Sequence, residues 1–309
     1  MGLQPVQPAA QEQNVRHLLY MYGAVTQVEL NGLLDVSSVD DETRKQQIKM
    51  DWRTAAQVFR EIRRTEAGEP DRIEIRALSS ESAARAEALR AEPTFANTFS
   101  NYPVSFEEVE LDKIVACQRI VHIEYVDEIT ARFERSARDL IDYCLVPGQD
   151  TTPVTVGRTA LNAFTASSLN PGLRFLGAFE QRFTPGLVSR TPSGQPTHAV
   201  ILVLGYGSTT VNAYRVHDRL ILNNGFHRLY MLRRLGITHV PVVIQHITDP
   251  EVELPAVLTE LPRDYLVSNP RPALLKDFFD ERLNCLITQR SVMKAIQLGW
   301  GVNESLVPR

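Results

Sequence analysis

A chain of 309 residues with 43% hydrophobic and 23% charged residues is long for one compact unit and short for three, and it has the composition of a protein that buries a core. Its net charge of −4 supplies no global field to hold a polyanion, so DNA is not a favoured partner and any nucleic-acid contact needs a local basic patch. No stretch reaches the roughly 18 apolar residues that span a bilayer, and the opening MGLQPVQPAAQEQN has neither the basic start nor the apolar run of a signal peptide. The sequence therefore reads as a cytoplasmic protein without membrane contact. Cys117, Cys144 and Cys285 are odd in number and never form a C-x-x-C pair, which argues against disulfides and thiolate metal sites and leaves them as small buried hydrophobes.

Residues 1–13 are polar and contain prolines, and they are expected to fray. From Asp51, the residues Trp52, Ala55, Phe59 and Ile62 recur at helical spacing with Arg60, Glu61, Arg63 and Arg64 on the other side, and Gly68 and Pro70 close the segment. A second helix is predicted from Ser80 to Arg90, capped by Ser79 or Ser80. The run VSFEEVEL at 104–111 alternates as a short strand, and Ile123–Leu140 reads as one helix. Gly and Pro are too frequent between Leu145 and Thr197 for long helices, so this stretch is an insertion with one strand, Leu173–Phe183, on which Phe175, Phe179 and Phe183 share a face. His198–Ile247 carries the core: a buried-type strand (HAVILVLGY), a second strand (Val211–Leu222), a turn, a helix, and a third strand (VPVVIQHI). After Pro250 a helix is expected at Ala273–Leu283, then an alternating run with Val292, Ile296, Leu298 and Trp300; both tryptophans read as core residues.

One place carries unusual chemistry. The strand Leu220–Leu222 ends at Asn223-Asn224-Gly225, and Phe226, Leu229, Leu232 and Leu235 then form a helical stripe. Gly236 stands where a left-handed cap belongs, and Arg233 and Arg234 complement the dipole in the last turn. At the other end His227 and Arg228 occupy the first turn, where the free amides are already positive, so a cation there costs a few tenths to ~1 kcal/mol unless an anion faces it. Gly225 lets a ligand approach the backbone, and Arg228 offers a forked contact to phosphate. The alternatives are an Arg228–carboxylate pair and a His227 satisfied beneath the sheet.

The string LILNNGFHRLYMLRRLGITHVPVVI resembles the second motif of the ParB/sulfiredoxin superfamily, in which a strand ends in a Gly-x-His-Arg turn, opens a helix and leads to a strand beginning Val-Pro-Val. VSFEEVELDKIVACQRIVHIEYVDEI resembles the first motif, a strand and a loop carrying Gln and Arg. The resemblance implies that Asn224, Gly225, His227 and Arg228 hold nucleotide phosphates, with Gln118 and Arg119 approaching from the first motif. Sulfiredoxins carry a cysteine between the Gly and the His, where this chain has Phe226, so sulfinic-acid repair is not expected. The tail after Pro250 offers no helix-turn-helix of the chromosome-partition kind.

The resulting expectation is an α+β protein with a ParB/sulfiredoxin-like mixed sheet. It comprises a mainly helical extension over 1–100, the domain proper over 101–250 with the insertion at about 145–197, and a C-terminal extension over 251–309 packing on the core. The implied chemistry is ATP- or CTP-dependent phosphohydrolase or kinase activity with a divalent ion such as Mg2+, which requires a carboxylate to orient the acceptor. Glu124 and Asp218 are the candidates, with Asp127 and Glu128 beside the first; each reads more readily as a solvated helix or loop charge than as a catalytic group. A DNA-associated protein or nuclease of the same superfamily and a non-catalytic interaction module are the rivals. Gly205-Tyr206-Gly207 lacks the third glycine of a dinucleotide fingerprint, and His239 and His246 fall on opposite strand faces, unsuited to a shared metal.

Overall fold

The computed structural model describes residues 15–37, 41–136, 139–148, 152–170, 172–184, 186–187, 194–290 and 293–305; the tail at 1–13 and Val292 lie outside these. The class is mixed α+β. The chain forms two compact units, residues 1–148 with 209–291 and residues 149–208 with 292–309.

The strands of the two larger sheets of the first unit are, in chain order, β1 (Val15–Tyr20), β2 (Ile75–Ala77), β3 (Val104–Glu110), β4 (Ile120–His122), β5 (Asn212–Val216), β6 (Arg219–Asn224), β7 (His239–Ile247) and β8 (Cys285–Arg290), and Val257–Leu258 pairs with Leu261–Pro262 in a separate short hairpin. Its helices are α1 (Gln27–Val36), α2 (Glu42–Thr65), α3 (Ser80–Arg90), α4 (Pro93–Thr98), α5 (Ile123–Ser136), α6 (Leu140–Cys144), α7 (Phe226–Arg234), α8 (Pro250–Glu253) and α9 (Arg263–Ser268). One sheet has the order β6-β5-β7-β3-β2, antiparallel except for the parallel β5–β7 pair, and a smaller antiparallel sheet has the order β8-β1-β4.

The three-part division expected from the sequence gives way here, because β1 from the supposed extension lies between β4 and β8. Both flanking segments thus complete one sheet with the central region, and neither is an appendage. The insertion is also longer than expected. His198–Tyr206 belongs to the second unit, where it pairs with Leu173–Arg182 in a two-stranded ribbon. Its apolar run, read as a core strand, leaves Val200 73% and Leu202 40% exposed.

Continuous apolarity does mark the core at β6. Leu220 and Leu222 point into the main cluster with Phe226, Leu229 and Val243, whereas Ile221 points into a second cluster with Val115, Leu266 and Leu274. A strand covered on both faces has no solvent side to make polar, and each such side chain contributes roughly 1.5–3 kcal/mol by burial. The stretch Val211–Leu222 is two strands and not one: it folds back at His217-Asp218, with His217 in the left-handed region at φ 54°. Pro241 is tolerated inside β7 because its nitrogen faces the β5 side, and pairing with β5 starts only at Val243, whose amide bonds Val211 O at 3.1 Å.

The helix signals fare unevenly. Asp41 caps α2 and Ser79 caps α3 through side-chain bonds to Thr43 and Ser82 amides, and the α7 end is a Schellman pair, Ile237 N–H to Leu232 O and Gly236 N–H to Arg233 O, both 3.0 Å. The helix expected over Ile123–Leu140 is α5 followed by the separate α6, which Asp139 caps. The helix expected over Ala273–Leu283 is only a 3-10 segment, Leu275–Phe279. Arg271 explains this: fully buried, it binds Asp277 Oδ1 and Oδ2 at 2.7 and 2.8 Å, Glu66 Oε2 at 2.9 Å and Pro272 O at 2.7 Å, while Asp277 Oδ2 also takes the Leu274 amide at 2.8 Å. That network holds the segment in a tight turn against the end of α2.

In the second unit, Thr155–Ala160, Ala163–Ser168 and Lys294–Gly299 form an antiparallel sheet with Ala163–Ser168 in the middle. Trp300, expected in a core, is 38% exposed and stacks on Phe164 with ring centroids 5.5 Å apart. In the ribbon a register shift between Phe175 and Gly177 puts Phe175 and Phe179 on opposite faces, contrary to the simple alternation.

Removing one partner from the Arg271 network strands a buried charge. Arg271→Met is therefore expected to lower unfolding free energy in urea by about 3–5 kcal/mol, and the Arg271→Met/Asp277→Leu pair to recover part of it. A loss below about 1 kcal/mol for the single variant would remove the network from any role in holding this segment.

Candidate functional site

The strand-turn-helix read from the sequence is present: β6 ends at Asn224, Gly225 alone makes the turn, and α7 begins at Phe226. Gly225 is the N-cap at φ 104°, with no side-chain cap on the helix. A Cβ there would lie 2.9 Å from Val211 Cγ2, so both conformation and space select glycine. The amides of Phe226, His227 and Arg228 have no carbonyl one turn back and constitute the positive end of α7. Asn224 does not enter this cradle by its amide group, which donates to Thr210 O at 3.1 Å.

His227 turns inward. Its Nε2 accepts the His122 amide at 3.1 Å, and the two rings lie 5.4 Å apart. The register Leu18↔His122 and the Met21–Arg119 amide bond place that amide on the edge of β4 away from β1, so His227 ties α7 to an otherwise open sheet edge. With Nε2 accepting, the ring proton resides on Nδ1. Burial, with His122 adding to it, lowers the pKa of His227 from 6.5 to about 3. His227 is therefore neutral, and the expectation of a second cation in the first turn is corrected: the satisfied-histidine alternative describes Nε2.

Arg228 is the cation that remains. Its Nη1 donates to Tyr143 O at 3.2 Å, and burial pulls the guanidinium below its ordinary range although part of the residue stays accessible. Other deeply placed arginines face carboxylates: Arg219 meets Asp71 at 2.7 Å, Arg271 meets Asp277, Arg119 meets Glu29 and Arg263 meets Glu251. Among the described residues Arg228 has no such partner. Beside it, Tyr125 packs edge-on to His227 at 5.4 Å, and His122 Nδ1 is buried with no hydrogen-bond partner among the described residues. Burial, with Arg16 next, holds the His122 ring below its usual pKa.

The remaining candidates distribute as follows. Glu124 opens α5, two residues from His122, and its Oε1 takes both the His17 ring at 2.6 Å and the His17 amide at 2.8 Å. Burial acts to raise its pKa but is outweighed by these bonds, so it stays ionised below the usual range. Asp127 and Glu128 are taken up by Arg234 and Arg132 on the helix surface. Asp218 sits exposed in the hairpin turn at the far end of β6, about 20 Å of strand away from Gly225, and is not brought to the site. Gln118 Nε2 donates to Ile120 O at 2.7 Å, and Arg119 pairs with Glu29 and lies over the Tyr265 ring, so these groups are engaged with partners other than the Gly225 turn. Phe226, where a thiol would stand in a sulfiredoxin, packs on Phe278 at 4.9 Å. Burial pushes the Cys117 thiol up to about 11 and those of Cys144 and Cys285 up to about 12. Among the described residues no three His, Cys, Asp or Glu side chains group around a metal position. Sequence reading missed His122, His17 and Tyr143, whose roles arise only from long-range contact.

Gly225→Ala is expected to cost about 1–3 kcal/mol in urea unfolding, from the left-handed backbone and the Val211 contact; an unchanged midpoint would mean that the turn can be rebuilt. For His227, the unfolded chain binds a proton below about pH 6.5 that the folded chain refuses down to about pH 3. The neutral ring therefore contributes fully above pH 6.5, and this stability is lost as pH falls toward 3, at no more than about 1.4 kcal/mol per pH unit. His227→Gln keeps an acceptor for the His122 amide, so its melting temperature should fall less steeply than wild type between those limits; parallel curves would contradict the neutral assignment.

Compared with protein-family models, curated proteins and solved structures, the chain matches none.

Proposed function

We propose that the Gly225 turn binds the phosphates of a nucleotide, ATP or CTP, as the resemblance to the ParB/sulfiredoxin superfamily implies. The observation that carries this reading is Arg228, a crowded guanidinium at a helix N-terminus with a carbonyl and no carboxylate for company among the described residues. An anion at the amides of residues 226–228 would supply the missing charge, and a charge-assisted hydrogen bond of this kind contributes about 1.5–3 kcal/mol. The orphaned His122 Nδ1 and the His227 Nδ1–H add polar groups close to the same turn.

Phosphohydrolase or kinase chemistry is the activity in line with such a site. Glu124 serves as the acceptor-orienting carboxylate in this reading, being ionised and two residues from His122, with His17 attached to it at 2.6 Å. A divalent ion would be held by the nucleotide phosphates together with at most one or two protein carboxylates, the usual manner of Mg2+.

Melting temperature measured against ATP, CTP, GTP and ADP, with and without magnesium, tests the reading. At a concentration about 100 times Kd a ligand stabilises by about 2.7 kcal/mol. One nucleotide is expected to raise the wild-type melting temperature by several degrees, Arg228→Ala to abolish the rise, and Arg228→Lys to retain part of it. The absence of any shift in wild type, or an undiminished shift in Arg228→Ala, would overturn it.

A further inference from the structure

Helix α2 distributes its charge unevenly. At 3.6 residues per turn, Lys49, Arg53, Arg60, Arg63 and Arg64 fall within an arc of roughly 100° along one flank, over a length of about 22 Å. The buried stripe Ile48, Ala55 and Phe59 runs beside them, and Asp51 and Glu61 project from the other flank. All five cations are at least partly exposed. Only Arg64 is paired with a carboxylate, Glu61 at 2.6 Å, and both side chains of that pair are mostly in solvent. Lys49, Arg53, Arg60 and Arg63 face no carboxylate among the described residues. At the C-terminal end of the stripe Arg60, Arg63 and Arg64 meet Asn269, Pro270 and Arg271 around a groove of about 270 Å³. Arg63 reaches across to Asn269 Oδ1 at 3.3 Å.

We propose that this flank of α2 binds the phosphate backbone of duplex nucleic acid without reading its sequence, the groove receiving a phosphate at one end. The proposal is independent of the nucleotide reading of the Gly225 turn. Local concentration of positive charge matters because the chain as a whole carries −4: without such a patch a polyanion would be repelled. Three features select nucleic acid over other anionic partners. Protein interfaces draw most of their energy from buried aromatic or aliphatic anchors, and between Lys49 and Arg64 the arc contains only the five cations and Ala56. A membrane-bound helix must lower its apolar face into lipid, and that face of α2 is occupied by the core through Ile48, Ala55 and Phe59. Arginine, which supplies four of the five cations, presents the planar fork suited to phosphate oxygens. With no exposed aromatic side chain in the arc to stack on an unpaired base, the duplex is the fitting form.

The test is fluorescence anisotropy of a short labelled DNA duplex of mixed sequence, titrated with the full chain. Four or five phosphate contacts should give log K falling with log salt at a slope near −4, so that affinity drops roughly 100-fold or more between about 50 and about 200 mM salt. The variant Arg53→Gln/Arg60→Gln/Arg64→Gln changes only exposed side chains and should melt as wild type does. Its slope should shrink by roughly one for each cation removed, and a second duplex of different sequence should bind equally. No binding at the lower salt would overturn the proposal. So would a variant that binds like wild type, equal affinity for polyglutamate, or a marked preference between the two duplexes.

Discussion

A strand that is buried on both faces must deliver a helix whose first turn carries an inward histidine and a crowded arginine, and only one residue is available to make the corner. Gly225 meets that constraint at φ 104°, with the Val211 side chain closing the space where a Cβ would go. Everything at the site follows from it. The corner aims His227 at the open edge of β4, and places Arg228 beneath the last turn of α6, where a backbone carbonyl is the only hydrogen-bond acceptor it meets among the described residues. Shifting the start of α7 by one residue would rotate both side chains by about 100° and release both contacts.

Charge in this protein is handled in two ways. Interior arginines are embedded in carboxylates and polar backbone, as Arg219 is with Asp71, Leu266 O and Asn269 O. Such groups are costly to strand and hold distant segments in register. Arg228 and, Arg64 apart, the cations on the flank of α2 are arranged otherwise, with no carboxylate partner among the described residues, inside the fold in one case and on its surface in the other. The first kind of arginine organises the structure. The second kind is the basis of both readings offered for its ligands.

Legibility from sequence tracked the range of the forces involved. The Gly225 corner, the Gly236 cap, the Ser79 cap and the apolar run of β6 are local signals, and each forms as its residues indicate. The neutral state of His227 was not readable, because it arises from burial and from the amide of His122, more than a hundred positions earlier. Apolar composition alone also misplaced His198–Tyr206: a run such as HAVILVLGY denotes a strand but does not say which sheet receives it or how much of it remains in water. The failed helix at 273–283 has a different origin, since the propensity of LLKDFFD is overridden by Arg271 drawing Asp277 into a tight turn. The fold class was thus accessible, the corner and its glycine were accessible, and the division of the chain was not.

The pairing of β1 with β8 joins segments from nearly opposite ends of the sequence, and the three-stranded sheet of the second unit likewise waits for Lys294–Gly299. During synthesis, therefore, most of the polypeptide emerges before either sheet can be completed. β1 must stay unpaired on its β8 side until residues 285–290 emerge, with its edge amides and carbonyls available to other chains. Closure of both units waits for residues 285–299 and is slow because it joins distant segments, and a ribosome that stops before them leaves two incomplete sheets with open edges.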